Sequence, residues 1–261
     1  MTPLIPCSPS AALRTALQSA RRAALLLTLA AIASLGAQSI PGAVLAQREP
    51  HHHATFTDSV MRVLRVRVPA HDSTLLHEHD PDYFWIALGP SDVVNARPGM
   101  PDAMIRSADL SVHYTPGHFA HVARNPGTVP FDNITVELLR PQTNVRNLCE
   151  PAMGGAPLDC SAPANGSTSF TGAAEHPAFS TDQLRVSVVT LNGGATMRSR
   201  TGARTWLIAL DTADAKSALT IEGGGAWSGG VYRASDGKFA VHNTATRPVR
   251  LLAVEQQRNA K

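Results

Sequence analysis

His77, Glu78 and His79 stand in the stretch TLLHEHDPDYFWIALG, immediately ahead of an apolar run. In an extended segment alternate side chains share a face, so His77 and His79 present two imidazoles toward one point while Glu78 turns away. Two imidazoles make half of a metal site. His121, in PGHFAHVARN, is the third candidate ligand, because its segment leads into the strand-like NITVELL and can return to the same interior. Asp82 and Tyr83 follow His79 closely enough to supply a fourth group. Two or three imidazoles, with or without one carboxylate, suit a divalent transition metal: Fe, Mn, Ni, Zn or Cu. Nine of the eleven histidines fall between residues 51 and 121. Of the others, His71 and His113 read as structural or surface groups, whereas Tyr114 and His118 are candidates for substrate contact or proton transfer. His51 to His53 read as an idle tail near a new N-terminus.

The segments that must hold these groups are short, rich in Val, Leu, Ile and Thr, and broken by Gly, Pro, Asn and Asp. MRVLRVRV, YFWIALG, DLSVHYT and NITVELL are followed by LRVSVVTL, TWLIALD, ALTIEG and VRLLAVE. Such runs predict an all-β sandwich or barrel. The two sets also repeat. Asn125, Pro130 and Val136-Glu137 recur as Asn243, Pro248 and Val254-Glu255, and WIAL at 85–88 recurs as LIAL at 207–210. The same order at nearly the same offset indicates an internal duplication.

HxH, a fourth-ligand position, an apolar strand ending in Gly, and then PGxxxHxxxN resemble the two motifs of the cupin superfamily. The resemblance implies an all-β chain of two cupin-type (double-stranded β-helix, jelly-roll) barrels, a bicupin of an exported bacterial type. It assigns His77, His79 and His121 to the metal and Asn125 to the end of the second motif. The family's glutamate position, four residues after the second histidine, holds Tyr83 here, with Asp82 one residue earlier. The second repeat lacks the set: Arg185 through Leu210 contains no His, Asp, Glu or Cys, and Phe239 stands where His121 should recur. That repeat is expected to pack against the first, close its mouth or mediate dimerisation.

Residues 1–46 read as a signal peptide, with Arg14, Arg21 and Arg22, no acidic residue, an Ala/Leu-rich stretch, and a cut after Ala46. The domain reading is then 55–145 for the metal-bearing cupin, 146–180 for a linker and 181–258 for the degenerate cupin. A periplasmic or secreted location follows, with no stable membrane span after processing. Losing three arginines balances the remaining basic residues against the 20 acidic ones, which excludes the basic surplus typical of nucleic-acid partners. Cys149 and Cys160 close a short loop and read as a disulfide in an oxidising compartment. The partner expected is a small-molecule substrate or ligand, with a homodimer left open. The leading functional reading is a metal-dependent dioxygenase, ahead of isomerase or lyase chemistry, and the alternative is a non-catalytic metal- or small-ligand-binding module. A pocket of at least about 300 Å3 beside an open coordination position would mark the enzyme; a closed four-coordinate ion would mark the binding module.

Overall fold

A computed structural model describes residues 40–147, 168–211 and 217–257. Residues 1–39 of the expected leader, and both Cys149 and Cys160, lie outside the described residues.

The first repeat comprises β1 (Val44–Leu45), β2 (His52–Thr57), β3 (Met61–Val68), β4 (His77–His79), β5 (Tyr83–Ala87), β6 (Ser91–Ala96), β7 (Ala103–Ser107), β8 (Val112–Thr115), β9 (Phe119–Arg124) and β10 (Phe131–Leu138). The second comprises β11 (Arg146–Asn147), β12 (Phe170–Thr171), β13 (Ala174–Ser180), β14 (Leu184–Leu191), β15 (Thr196–Ser199), β16 (Thr205–Ala209), β17 (Leu219–Ser228), β18 (Val231–Asn243) and β19 (Val249–Gln256). The first repeat folds as two five-stranded sheets, β2-β3-β10-β5-β8 and β1-β4-β9-β6-β7. The second contains the run β13-β14-β19-β16-β18, which repeats the strand order of the first sheet. The duplication read from sequence is therefore a duplication of topology.

Asn125 and Asn243 have the same structural task. Each is buried. The Asn125 amide donates to the carbonyls of Val68, Pro69 and Val129 and its Oδ1 accepts from Gly127 N–H. Asn243 donates to Leu191 and Arg247 and accepts from Ala245 N–H. Both residues thus satisfy the backbone of the turn that leads into the last strand of their repeat, a polar need that no apolar residue could meet.

The two-residue period of the strands divides each sheet between two cores. Along β5, Tyr83, Trp85 and Ala87 enter the interior of the first barrel with Leu64, Val66 and Val68 of β3. The alternate residues Phe84 and Ile86 turn the other way, and with Ile134 and Val136 they meet Val186, Val188, Trp206, Ile208, Leu252 and Val254 of the second repeat. This continuous layer joins the two repeats, and burying each Val, Leu or Ile in it stabilises the fold by about 1.5–3 kcal/mol. A third cluster fills the second barrel with Phe170, Met197, Leu207, Tyr232, Phe239 and Val241, so the position corresponding to His121 is occupied by packed aromatic carbon.

Three sequence expectations change. The first barrel begins earlier than residue 55: Val44 and Leu45 pair in parallel with His77 and Glu78, and Ala46 is fully buried. A leader cut after Ala46 would therefore remove a strand from the wall beside the histidine pair. The His51–His53 stretch is no tail, since β2 pairs with β3 through His52 opposite Val66 and His53 opposite Arg65. The second repeat also starts before residue 181, because β13 lies beside β14. Among the described residues, no helix is long and apolar enough to cross a membrane.

A chain starting at Gln47 should melt below one starting at Ile40, since it loses the β1–β4 ladder, the buried Ala46 and the Ile40 N–H bond to Glu78. Paired thermal unfolding of the two chains checks this, and equal melting temperatures would show that residues 40–46 contribute nothing.

Candidate metal centre

Strand parity brings four imidazoles, rather than three, into the first barrel. His77 and His79 project inward from β4, His121 faces His77 directly across the β4–β9 ladder, and His52 arrives from β2. Ring centroids lie 4.5 Å apart for His52–His77 and His77–His121, 5.2 Å for His77–His79, 5.8 Å for His52–His79 and 5.9 Å for His79–His121. One ligand nitrogen from each of His52, His77 and His79 lies within 4.8 Å of the others. Two nitrogens that share an ion at about 2.0–2.1 Å can be no more than about 4.2 Å apart, so a small inward shift suffices for these three, while His121 stands outside that group.

Each ring is held by its other nitrogen. Nδ1 of His52 bonds Glu49 Oε2 at 2.6 Å, that of His77 bonds the Leu75 carbonyl at 3.0 Å, that of His79 bonds Glu137 Oε1 at 3.1 Å and that of His121 bonds Asn95 Oδ1 at 2.7 Å. These oxygens accept, so each Nδ1 carries the proton and each neutral ring keeps its lone pair on Nε2. Orienting a ligand imidazole through a carboxylate or carbonyl on the far nitrogen is the usual outer layer of a histidine metal site. The residues present fit a divalent transition ion by this donor chemistry.

The surrounding charges reinforce the arrangement. Burial, followed by the proximity of the other imidazoles, pushes His77 and His121 well below the ordinary histidine range. Burial also lowers His79, against the opposing pull of Glu137. Burial alone would raise the two carboxyls. For Glu137 the bonds and charges of His79 and Arg62 outweigh it, and for Glu49 those of His52 and the Leu75 and His51 N–H groups do so, leaving both pKa values lowered. Arg62 Nη1 donates to Glu137, so the residue that orients His79 is itself paired.

The cavity between the rings measures about 30 Å3 and is lined by the four histidines, Tyr83, Trp85, Asn95, Asn133, Thr135 and apolar side chains. That is room for an ion and about one further small group, since a single water needs roughly 10–15 Å3 by the same measure.

The other residues singled out in the sequence distribute differently. Tyr83, which stands at the family's glutamate position, stacks on the His79 ring at 3.9 Å and 21°. Asp82 is withdrawn from the cluster, because its oxygens accept from Tyr114 Oη and Gly117 N–H. Tyr114 packs in the layer between the repeats, against Phe179. His118 is exposed in a left-handed conformation (φ 55°) beside Asp80, with Nδ1 3.1 Å from its carboxylate. Neither of the two expected catalytic groups lines the metal cavity. His113 stacks on Trp85 at 4.3 Å, and burial pushes its pKa down to about 4. His71 is exposed.

Sequence reasoning missed His52, Glu49, Glu137 and Asn95. Glu137 carried a signal, because it belongs to the duplicated Val-Glu pair, yet its counterpart Glu255 faces no histidine. No family model matches the chain and no curated protein matches it. Among solved structures it resembles AerE from Microcystis aeruginosa, at 12% identity and a TM-score of 0.56 over 80% of this chain and 93% of that one. Two copies of one jelly-roll order, with HxH opposite a third histidine in one barrel, decide the architecture. The fold is a bicupin. Two further resemblances accompany this fold. One is Bacillus subtilis oxalate decarboxylase, described for its Mn(II) centres, at 11% identity and a TM-score of 0.46 over 77% of this chain and 70% of that one. The other is the vicilin of Solanum melongena, at 10% identity and a TM-score of 0.48 over 75% and 74%.

Glu49→Gln and Asn95→Leu should each weaken metal affinity about 10- to 100-fold while leaving all four imidazoles in place; competition against a chromogenic chelator measures it, and unchanged affinity would remove the orienting role. The metal-free protein should also lose stability as pH falls. The unfolded chain takes up protons from about 6.5 downward while folded His77 and His121 resist them, so in that window the unfolded state binds more protons and gains. Denaturant unfolding at pH 7.5 and pH 5 tests the sign.

Proposed function

We propose that this bicupin is an exported metal-binding protein whose first barrel holds one divalent transition ion through His52, His77, His79 and His121. The observation that carries this reading is the common pattern of the four rings: every Nδ1 is committed to an oxygen acceptor and the rings line one small cavity. An oxygen acceptor on the far nitrogen is how a ligand imidazole is oriented toward an ion. The ion supplies Lewis acidity or redox chemistry when bound, and its identity among Fe, Mn, Ni, Zn and Cu is the first thing to measure.

The size of the cavity favours ion holding over dioxygenase chemistry on an organic substrate. About 30 Å3 is far short of the roughly 300 Å3 at which small-molecule pockets begin. The second repeat supports the first as a scaffold, its interior filled with apolar side chains. The leader-like residues 1–39 support export, and the burial of Ala46 supports a cut upstream of Ile40, not after Ala46.

Elemental analysis of the untagged protein, purified without added metal, should find close to one transition ion per chain, and a His77→Ala, His121→Ala double variant that still folds should have lost it. A folded wild-type protein that carries no ion and takes none up on dialysis would overturn the proposal.

A further inference from the structure

Two residues that line the metal cavity, Tyr83 and Trp85, each carry a buried side-chain group without a hydrogen-bond partner, and the Trp85 indole N–H can only donate. Trp85 lies on the inward face of β5, is 4% exposed, and lines the cavity beside the four histidines. Its Nε1–H is buried with no hydrogen-bond partner. The ring has little freedom to seek one elsewhere, because His113 stacks on one face at 4.3 Å and Phe131 meets its edge at 5.6 Å. An unsatisfied buried donor costs on the order of 1–3 kcal/mol, and a rigid one beside a ligand cavity is best accounted for by an acceptor that arrives with the ligand.

Charge and volume say what kind of acceptor fits. The four imidazoles are neutral and contribute no charge. Glu137 is paired with Arg62, Glu49 bonds His52, and the buried Glu78 faces away from the rings and accepts from Ile40 N–H. The donors that would touch the ion are all neutral imidazoles, so none of them offsets its charge directly. The Arg97 guanidinium, 4.7 Å from the centre of the Phe119 ring, adds to the positive potential felt at His121. The cavity of about 30 Å3 admits little beyond the ion.

We propose that the first barrel takes, next to its ion, a single anion of two or three heavy atoms whose acceptor atom receives the Trp85 indole N–H. The inference rests on the metal-binding reading above and narrows it: the exchangeable group is a small anion, and carboxylates larger than formate are shut out by size. Tyr83, inward-facing two residues earlier on the same strand and stacked on His79, limits the space from one side.

Cobalt(II) is a suitable probe ion because its visible bands report ligand exchange. The cobalt-loaded wild-type protein titrated with azide should show a saturable spectral change, and titration with benzoate should show none. Trp85→Phe should keep one cobalt per chain and bind azide about tenfold more weakly, the loss expected for one hydrogen bond to a charged group. Azide binding of unchanged strength in Trp85→Phe, or equal responses to azide and benzoate in the wild type, would overturn the inference while leaving the metal site standing. Cobalt uptake without any azide response would do the same. Failure to take up cobalt would remove the metal reading and this inference together. Should Trp85→Phe fail to fold, the azide and benzoate titrations of the wild type decide on their own.

Discussion

Burying four imidazoles side by side is costly unless each has a nitrogen committed elsewhere, and the first barrel is arranged around that requirement. A neutral histidine has one donor and one acceptor nitrogen, and leaving either bare in a dry interior forfeits a hydrogen bond. Here the donor side is met by a backbone carbonyl, an asparagine oxygen and two carboxylates drawn from four separate segments. The acceptor sides are left to the cavity. Arg62, Glu49 and Asn95 are thus as much part of the centre as the rings they support.

The same frame carries two different interiors. Asn125 and Asn243 fix the corresponding turns by similar bonds to the backbone, and the central strands of both repeats present alternate residues to the shared apolar layer. What changed between the copies is the other face of those strands. In the second repeat Phe239, Phe170 and Tyr232 pack where the first has polar groups, and a barrel filled with carbon needs no ion and no orienting oxygens. The divergence is possible because strand periodicity separates the face that holds the repeats together from the face that does chemistry.

Much of this was legible in the sequence, for a definite reason. His77 and His79 sit two apart in an extended run, so local geometry alone fixes their common face, and His121 is tied to them by the PGxxxHxxxN spacing. His52 had no such local signal. Its role depends on β2 pairing with β3 across a bulge between Ala54 and Phe56, a tertiary event that residue spacing does not encode. Asp82 failed for the opposite reason: it is near His79 in sequence, but the turn that follows β4 aims its carboxylate at Tyr114 and Gly117. The early start of the barrel was obscured because Val44-Leu45-Ala46 satisfies a cleavage pattern and a half-buried strand equally well.

The ligand histidines come from strands far apart in the chain, with His52 near its described beginning, His77 and His79 further on, and His121 on the other side of the β6–β7 hairpin. An ion joining them therefore acts as a cross-link. It closes long loops that would otherwise be free in the unfolded chain, and the entropy removed by such closure grows with loop length. With an ion bound, the centre would act as a reversible disulfide does, made and broken by metal supply rather than by oxidation, and would fasten the N-terminal edge of the barrel to its middle.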